Sequence, residues 1–164
     1  NDEHEQVWLE FIATKQTEII QADTLISETE KEQLLKARRG QGQFRRGVLA
    51  LEPRCRVTKV RIPDYLIASH IWPWRHCDNK ERLDPQNGLM LTPNADMLFD
   101  RGYISFADNG DILISTAADL EQLALLGIQP GANVGQFGSE QKVYLSRHRD
   151  GKGGKGGIFK KAMG

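Results

Sequence analysis

The chain has 164 residues, 39% hydrophobic and 27% charged, with 22 basic and 22 acidic side chains, a balance that suits one domain with a substantial core. No run of about 18 apolar residues occurs, so no helical membrane span is expected, and the opening residues are not expected to act as a signal peptide. The neutral total hides three blocks: residues 1–32 hold nine acids against two lysines, 36–61 hold nine Lys and Arg against Glu52, and 142–161 hold seven against Asp150.

Two basic blocks on either side of one stretch point to a polyanionic partner, with solvated helix faces as the plainer alternative. Cys55 and Cys77 are too few for a disulfide framework and fit a reducing, cytoplasmic setting in which both stay free. A first residue of Asn rather than Met leads us to expect a fragment or processed piece, with the question of a further domain upstream left open.

In chain order, residues 4–20 place Val7, Trp8, Phe11, Ile12, Ile19 and Ile20 near a 3.6-residue period, which predicts an amphipathic helix. SETEKEQLLKARRG predicts a second helix, capped by Ser27 or Thr29 and stopped at Gly40. GQGQFRRGVLALEP then predicts a Gly-rich loop and a short helix over 44–51. CRVTKV (55–60) reads as a short strand or a knuckle, and RIPDYLIASH as a strand over 65–69 that ends at His70. WPWRHCDNKERLDPQ is polar and turn-rich, so no regular element is expected there.

GLMLT (88–92) predicts a second strand. TPNADMLFDRG predicts a helix of about two turns, with Asn94 as N-cap and Gly102 as terminator. YISFADNGDILIS predicts a hairpin across Asp108-Asn109-Gly110, residues 117–127 a short helix, and VYLSRHRD a last strand or helix. GKGGKGGIFKKAMG reads as a flexible tail. The expected division is a helical segment over 1–40, the main domain over 41–150 and a basic Gly/Lys-rich tail over 151–164.

Between residues 64 and 101 the pattern is strand, long loop, strand, short helix, punctuated by His70, Asn87 and Asp96. A hairpin this short with a helix packed over it is expected to gather the three on one concave side. So small a unit gives no stability reason to bury polar groups. A histidine titrating near neutrality, with one ring nitrogen held by a backbone carbonyl, suits general-base work. A carboxylate suits a hard divalent cation that keeps some of its waters.

The segments SHIWPW, DPQNGLMLT and NADMLFDRG together resemble the HNH nucleases, closest to a bacterial restriction-type branch. GQGQFRRGVL, CRVT and VYLSRHRD resemble its flanking parts, so the resemblance covers roughly residues 36–149. It implies an α+β fold with a ββα-metal core, N-terminal helices and a C-terminal hairpin and helix extension. It implies hydrolysis of double-stranded DNA that leaves 5′ phosphates, using Mg²⁺ or Mn²⁺, with no small-molecule substrate and with a homodimer as one route to double-strand cuts. In this reading His70 is the base, and Asn87, grouped with it at the catalytic centre, holds the loop through its amide.

Asp96 is the expected cation ligand. Ser69 stands where many members carry Asp or His as a second ligand, and Asp78 or Asp84 can supplement it. Arg45, Arg46, Arg75 and Arg101 are expected on phosphates.

Plainer readings stand beside these. His70 can be a satisfied core histidine, Asp96 a first-turn helix acid, and Asn87-Gly88 a turn. Trp72 and Trp74 read as packing residues. Cys55, His76 and Cys77 lack zinc-knuckle spacing. The competing functional class is a non-catalytic DNA-binding or interaction module on a degenerate fold of this type, and a secreted nuclease toxin is a third.

Overall fold

The computed structural model describes residues 27–161 together with Glu18 and Ala22; Glu18 apart, the helix expected over 4–20 lies outside the described residues. Helix α1 runs through Glu28–Leu51 without a break, which corrects the stop at Gly40 and the Gly-rich loop after it. The glycines mark where other elements press on the helix. A Cβ on Gly40 would stand 2.8 Å from Leu83 Cδ2, and one on Gly47 3.0 Å from Pro85 Cβ. Close packing that buries Phe44 and Val48 outweighs the helical cost of each glycine, about 1 kcal/mol.

After α1, residues 55–60 form a knuckle: Cys55 N donates to Val60 O, Lys59 N to Cys55 O, and Lys59 takes φ 69°. A 3-10 turn over Pro63–Tyr65 feeds β1, Ile67–His70. This strand pairs antiparallel with β2, Gly88–Leu91, in a register running from Ile67 opposite Leu91 to His70 opposite Gly88.

The connection between them is more regular than its polarity suggested. It holds a 3-10 turn over Trp74–His76, a short helix α2 over Asn79–Leu83, and a 3-10 turn over Pro85–Asn87. The available signal was a capping box, Asp78 with Glu81: Glu81 N donates to Asp78 Oδ1 at 2.8 Å and Asp78 N to Glu81 Oε2 at 3.2 Å.

Helix α3, Pro93–Asp100, starts from Thr92 with Pro93 in its first position. Asn94, the expected cap, lies inside the helix and donates from Nδ2 to Leu126 O at 2.8 Å. Gly102, at φ 77°, ends the helix as expected, with Gly102 N bonded to Phe99 O and Tyr103 N to Leu98 O. A second hairpin follows, β3 over Ile104–Phe106 against β4 over Ile112–Ile114. Helices α4, Leu120–Leu125, and α5, Ser139–Asp150, complete an α+β fold around a ββα unit.

One core joins these parts, centred on Ile71, Trp72, Leu89, Phe99, Phe106 and Leu145. Residues 151–161, read above as a flexible tail, bond back to the body. Ile158 N and Phe159 N donate to His148 O, Lys160 N to Gly102 O, and Ser115 Oγ to Lys160 O.

Candidate active site

Side chains alternate along β1 and β2, so His70 and its pair partner Gly88 face α1, while Ser69 and Leu89 face α3. The Phe44 ring lies on the imidazole, and Gly88 makes room for it: a Cβ there would stand 2.3 Å from Val48 Cγ2 and 2.8 Å from Phe44 Cζ. His70 Nε2 lies 2.9 Å from Arg82 O.

A carbonyl only accepts, so Nε2 carries the proton and the neutral ring keeps its lone pair on Nδ1. Nδ1 has no hydrogen-bond partner among the described residues. No buried side-chain nitrogen or oxygen among them is left unpaired, which places Nδ1 in contact with solvent. Burial holds the His70 pKa below the ordinary 6.5; the bond to Arg82 O works the other way and the Arg82 charge adds to the depression. The ring is therefore a free base at neutral pH.

Asn87 is fully buried. Its Oδ1 accepts from Trp72 N at 2.8 Å, and its Nδ2 donates to Trp72 O at 3.2 Å, Cys77 Sγ at 3.3 Å and Glu81 O at 3.2 Å. Both ends of the amide are spent inside the loop it encloses, so it reaches no substrate. Asp78 and Asp84, expected as supplementary ligands, are also spent. Asp78 caps α2, and Asp84 accepts from Gln86 N at 2.9 Å and from Tyr144 OH at 2.7 Å.

Asp96 sits in the first turn of α3, and the Ser69 hydroxyl favours its charged form. Burial raises the Asp96 pKa, Ser69 opposes the rise, and the charge of Asp100, one helical turn on, adds to it. The carboxylate thus meets the α3 face of the hairpin and the imidazole its α1 face. The two groups approach one end of the hairpin from its opposite faces, with the Asn87 loop joining the strands there.

Ser69, Asp96 and Asp100 present oxygen donors, the chemistry a hard divalent cation takes, and a cation there relieves the burial of the Asp96 charge. No group of three or more His, Cys, Asp or Glu side chains is arranged to hold a metal among the described residues. The donor set fits a cation that draws its other ligands from water and phosphate.

The arginines divide. Arg45 donates to Leu66 O and Pro63 O, each at 2.8 Å, and so braces the entry to β1, a correction to its expected place on phosphate. Arg46, Arg75 and Arg101 are exposed, and none of the three has an ion pair among the described residues. Trp72 is buried; Trp74 is 38% exposed and carries the Arg82 guanidinium 3.9 Å from its ring centroid.

Phe44, the Arg82 carbonyl and Asp100 were missed from sequence. The four-residue spacings Phe44 to Val48 and Asp96 to Asp100 were the available signals for two of them, whereas a backbone carbonyl leaves no trace in residue type.

No curated protein matches the chain. Residues 55–107, about a third of it, run from the knuckle through β3 and match the family model described as HNH endonuclease; for that stretch the match supports the HNH family and nuclease activity.

Proposed function

We propose that the chain is a metal-dependent endonuclease of double-stranded DNA, the cytoplasmic nuclease part of a restriction-type enzyme, with His70 as general base. The observation that carries this reading is the tautomer: Arg82 O occupies Nε2, and the lone pair on Nδ1 faces solvent. Nδ1 takes a proton from water and the water oxygen bonds to phosphorus. The bond from phosphorus to the 3′ oxygen breaks, and that oxygen takes a proton from solvent. The products carry a 5′ phosphate and a 3′ hydroxyl.

Asp96, aided by Ser69, would hold Mg²⁺ or Mn²⁺, which supplies charge neutralisation at the phosphate and the leaving oxygen. Asn87 is a positioning residue for the loop. Arg46, Arg75 and Arg101 pair with phosphates. One such unit cuts one strand, so a double-strand break comes from a homodimer or from two successive nicks.

Supercoiled plasmid incubated with Mn²⁺ or Mg²⁺ tests the reading, with His70→Ala alongside. Nicked and then linear DNA from the parent, and none from the variant, is the expected result. Intact plasmid, or equal cutting by both proteins, overturns it. Salt-sensitive DNA binding without cation-stimulated cleavage, unaltered by Asp96→Ala, selects the non-catalytic module instead.

A further inference from the structure

We propose that Glu81, clamped by Arg147 and Lys152, is a positioning residue that aims the His70 imidazole through the carbonyl of its chain neighbour Arg82. The inference rests on the reading of His70 as the base. Glu81 is 9% exposed, a costly place for a carboxylate unless it is paired and fully hydrogen-bonded.

Its Oε1 accepts from Arg147 Nη1 at 2.7 Å and from Lys152 Nζ at 2.9 Å, and its Oε2 accepts from Asp78 N at 3.2 Å. The two cations come from 66 and 71 residues further along the chain. The backbone of the same residue is equally engaged, with Glu81 N on Asp78 Oδ1 and Glu81 O on Asn87 Nδ2. The next carbonyl, that of Arg82, accepts the hydrogen bond from His70 Nε2.

Every atom of Glu81 able to hydrogen-bond is therefore engaged, which fixes the residue directly before the carbonyl that sets the tautomer of the ring. Helix α5 grips the loop a second time, since Tyr144 OH donates to Asp84 Oδ2 and the Arg147 guanidinium lies 5.0 Å from the Tyr144 ring centroid. Burial opposes ionisation of Glu81, but the bonds from Lys152, Asp78 and Arg147 outweigh it and hold its pKa below the usual value. The carboxylate stays charged wherever the base is active. A loop that needed only to be folded is already closed by Asn87. The Glu81 clamp adds orientation, the property on which proton transfer depends most steeply.

The test uses the full chain with Glu81→Gln, Arg147→Met, Arg147→Lys and Arg149→Gln. Arg149 bonds Phe106 O and Asp108 on the second hairpin, so its variant loosens the same helix without touching the loop. Four readouts are taken: kcat and KM for plasmid nicking, Tm, and the imidazole ¹⁵N spectrum, which reports the His70 tautomer. Glu81→Gln and Arg147→Met are expected to lower kcat on the order of tenfold with KM little changed, and to mix the two tautomers. Arg147→Lys should restore both, and Arg149→Gln should lower Tm while leaving the tautomer as in the parent.

A parent-like kcat and tautomer in Glu81→Gln overturns the inference. So does a loss of kcat in Arg149→Gln equal to that in Arg147→Met. Full activity in His70→Ala removes the underlying base assignment instead, and the clamp falls with it.

Discussion

Phe44 and His70 lie face to face, ring centroids 3.8 Å apart and planes within 3° of parallel. The stack exists because position 88, opposite His70, has no side chain to fill the space between the strand and α1. Gly88→Ala places a methyl against Val48 and Phe44 and should cost about 1–3 kcal/mol of stability, with slower cleavage as the imidazole is pushed aside. Urea unfolding and a nicking assay at matched folded fraction measure the two effects.

With His70 as the proposed base, its depressed pKa should set the pH range of the reaction. The base is lost only when Nδ1 takes a proton, which burial defers to a pH below the ordinary histidine value of 6.5. The acid limb of kcat/KM should therefore have its midpoint under 6.5, and His70→Ala should lose the limb along with about a hundredfold or more of the rate. A midpoint above 6.5 counts against His70 as the titrating group.

Asn87 is the least replaceable polar residue of the loop. Asn87→Ala leaves Trp72 N unpaired in a buried site and should cost about 3 kcal/mol. Asn87→Asp should cost more, because its carboxylate faces the carbonyls of Trp72 and Glu81 where Nδ2 now donates. Chemical denaturation ranks the two variants, and the opposite order is evidence against the amide geometry.

Cation demand should follow the oxygen donors. Asp96→Asn is expected to raise the Mn²⁺ concentration for half-maximal nicking by about tenfold or more, while Ser69→Ala shifts it little, since that hydroxyl acts on Asp96. Ser69→Asp adds a second carboxylate beside the first and should lower the requirement. A titration of rate against Mn²⁺ separates the three.

His148 predicts acid sensitivity of the fold itself. It is buried between Ser105 Oγ, 2.8 Å from Nδ1, and Phe99 O, 2.9 Å from Nε2, and burial pulls its pKa down to about 4 against the bond to Phe99 O. Below 6.5 the unfolded chain takes up a proton that the folded chain refuses. Stability is thus full above 6.5 and falls as pH drops toward 4, by about 3 kcal/mol in all. Urea midpoints at pH 7, 5 and 4 should show the fall, and His148→Gln should flatten it.

Much of the ββα unit was legible because its signals are local. The apolar run ending at His70, Gly88 opening the next strand and Gly102 as terminator each act within a few residues of themselves, whereas the helix start was placed at Asn94 and lies at Thr92. Helix α1 was misread for the opposite reason. Its glycines look like breaks until Leu83 and Pro85, some forty residues on, are seen packed against them. The C-terminal segment, all Gly and Lys at its start, gave no local sign that Lys152 would reach Glu81 or that Lys160 would bond Gly102.

Residue type and spacing were enough to single out the imidazole, amide and carboxylate and the strand–loop–strand–helix that carries them, since backbone preference and period are short-range properties. Which ring nitrogen stays free, which face of the hairpin each group takes and which arginine is drawn into bracing the fold were settled by packing. Those outcomes depend on a carbonyl, an aromatic ring and counter-charges brought together from distant parts of the chain, and no pattern of neighbouring residues encodes such a meeting.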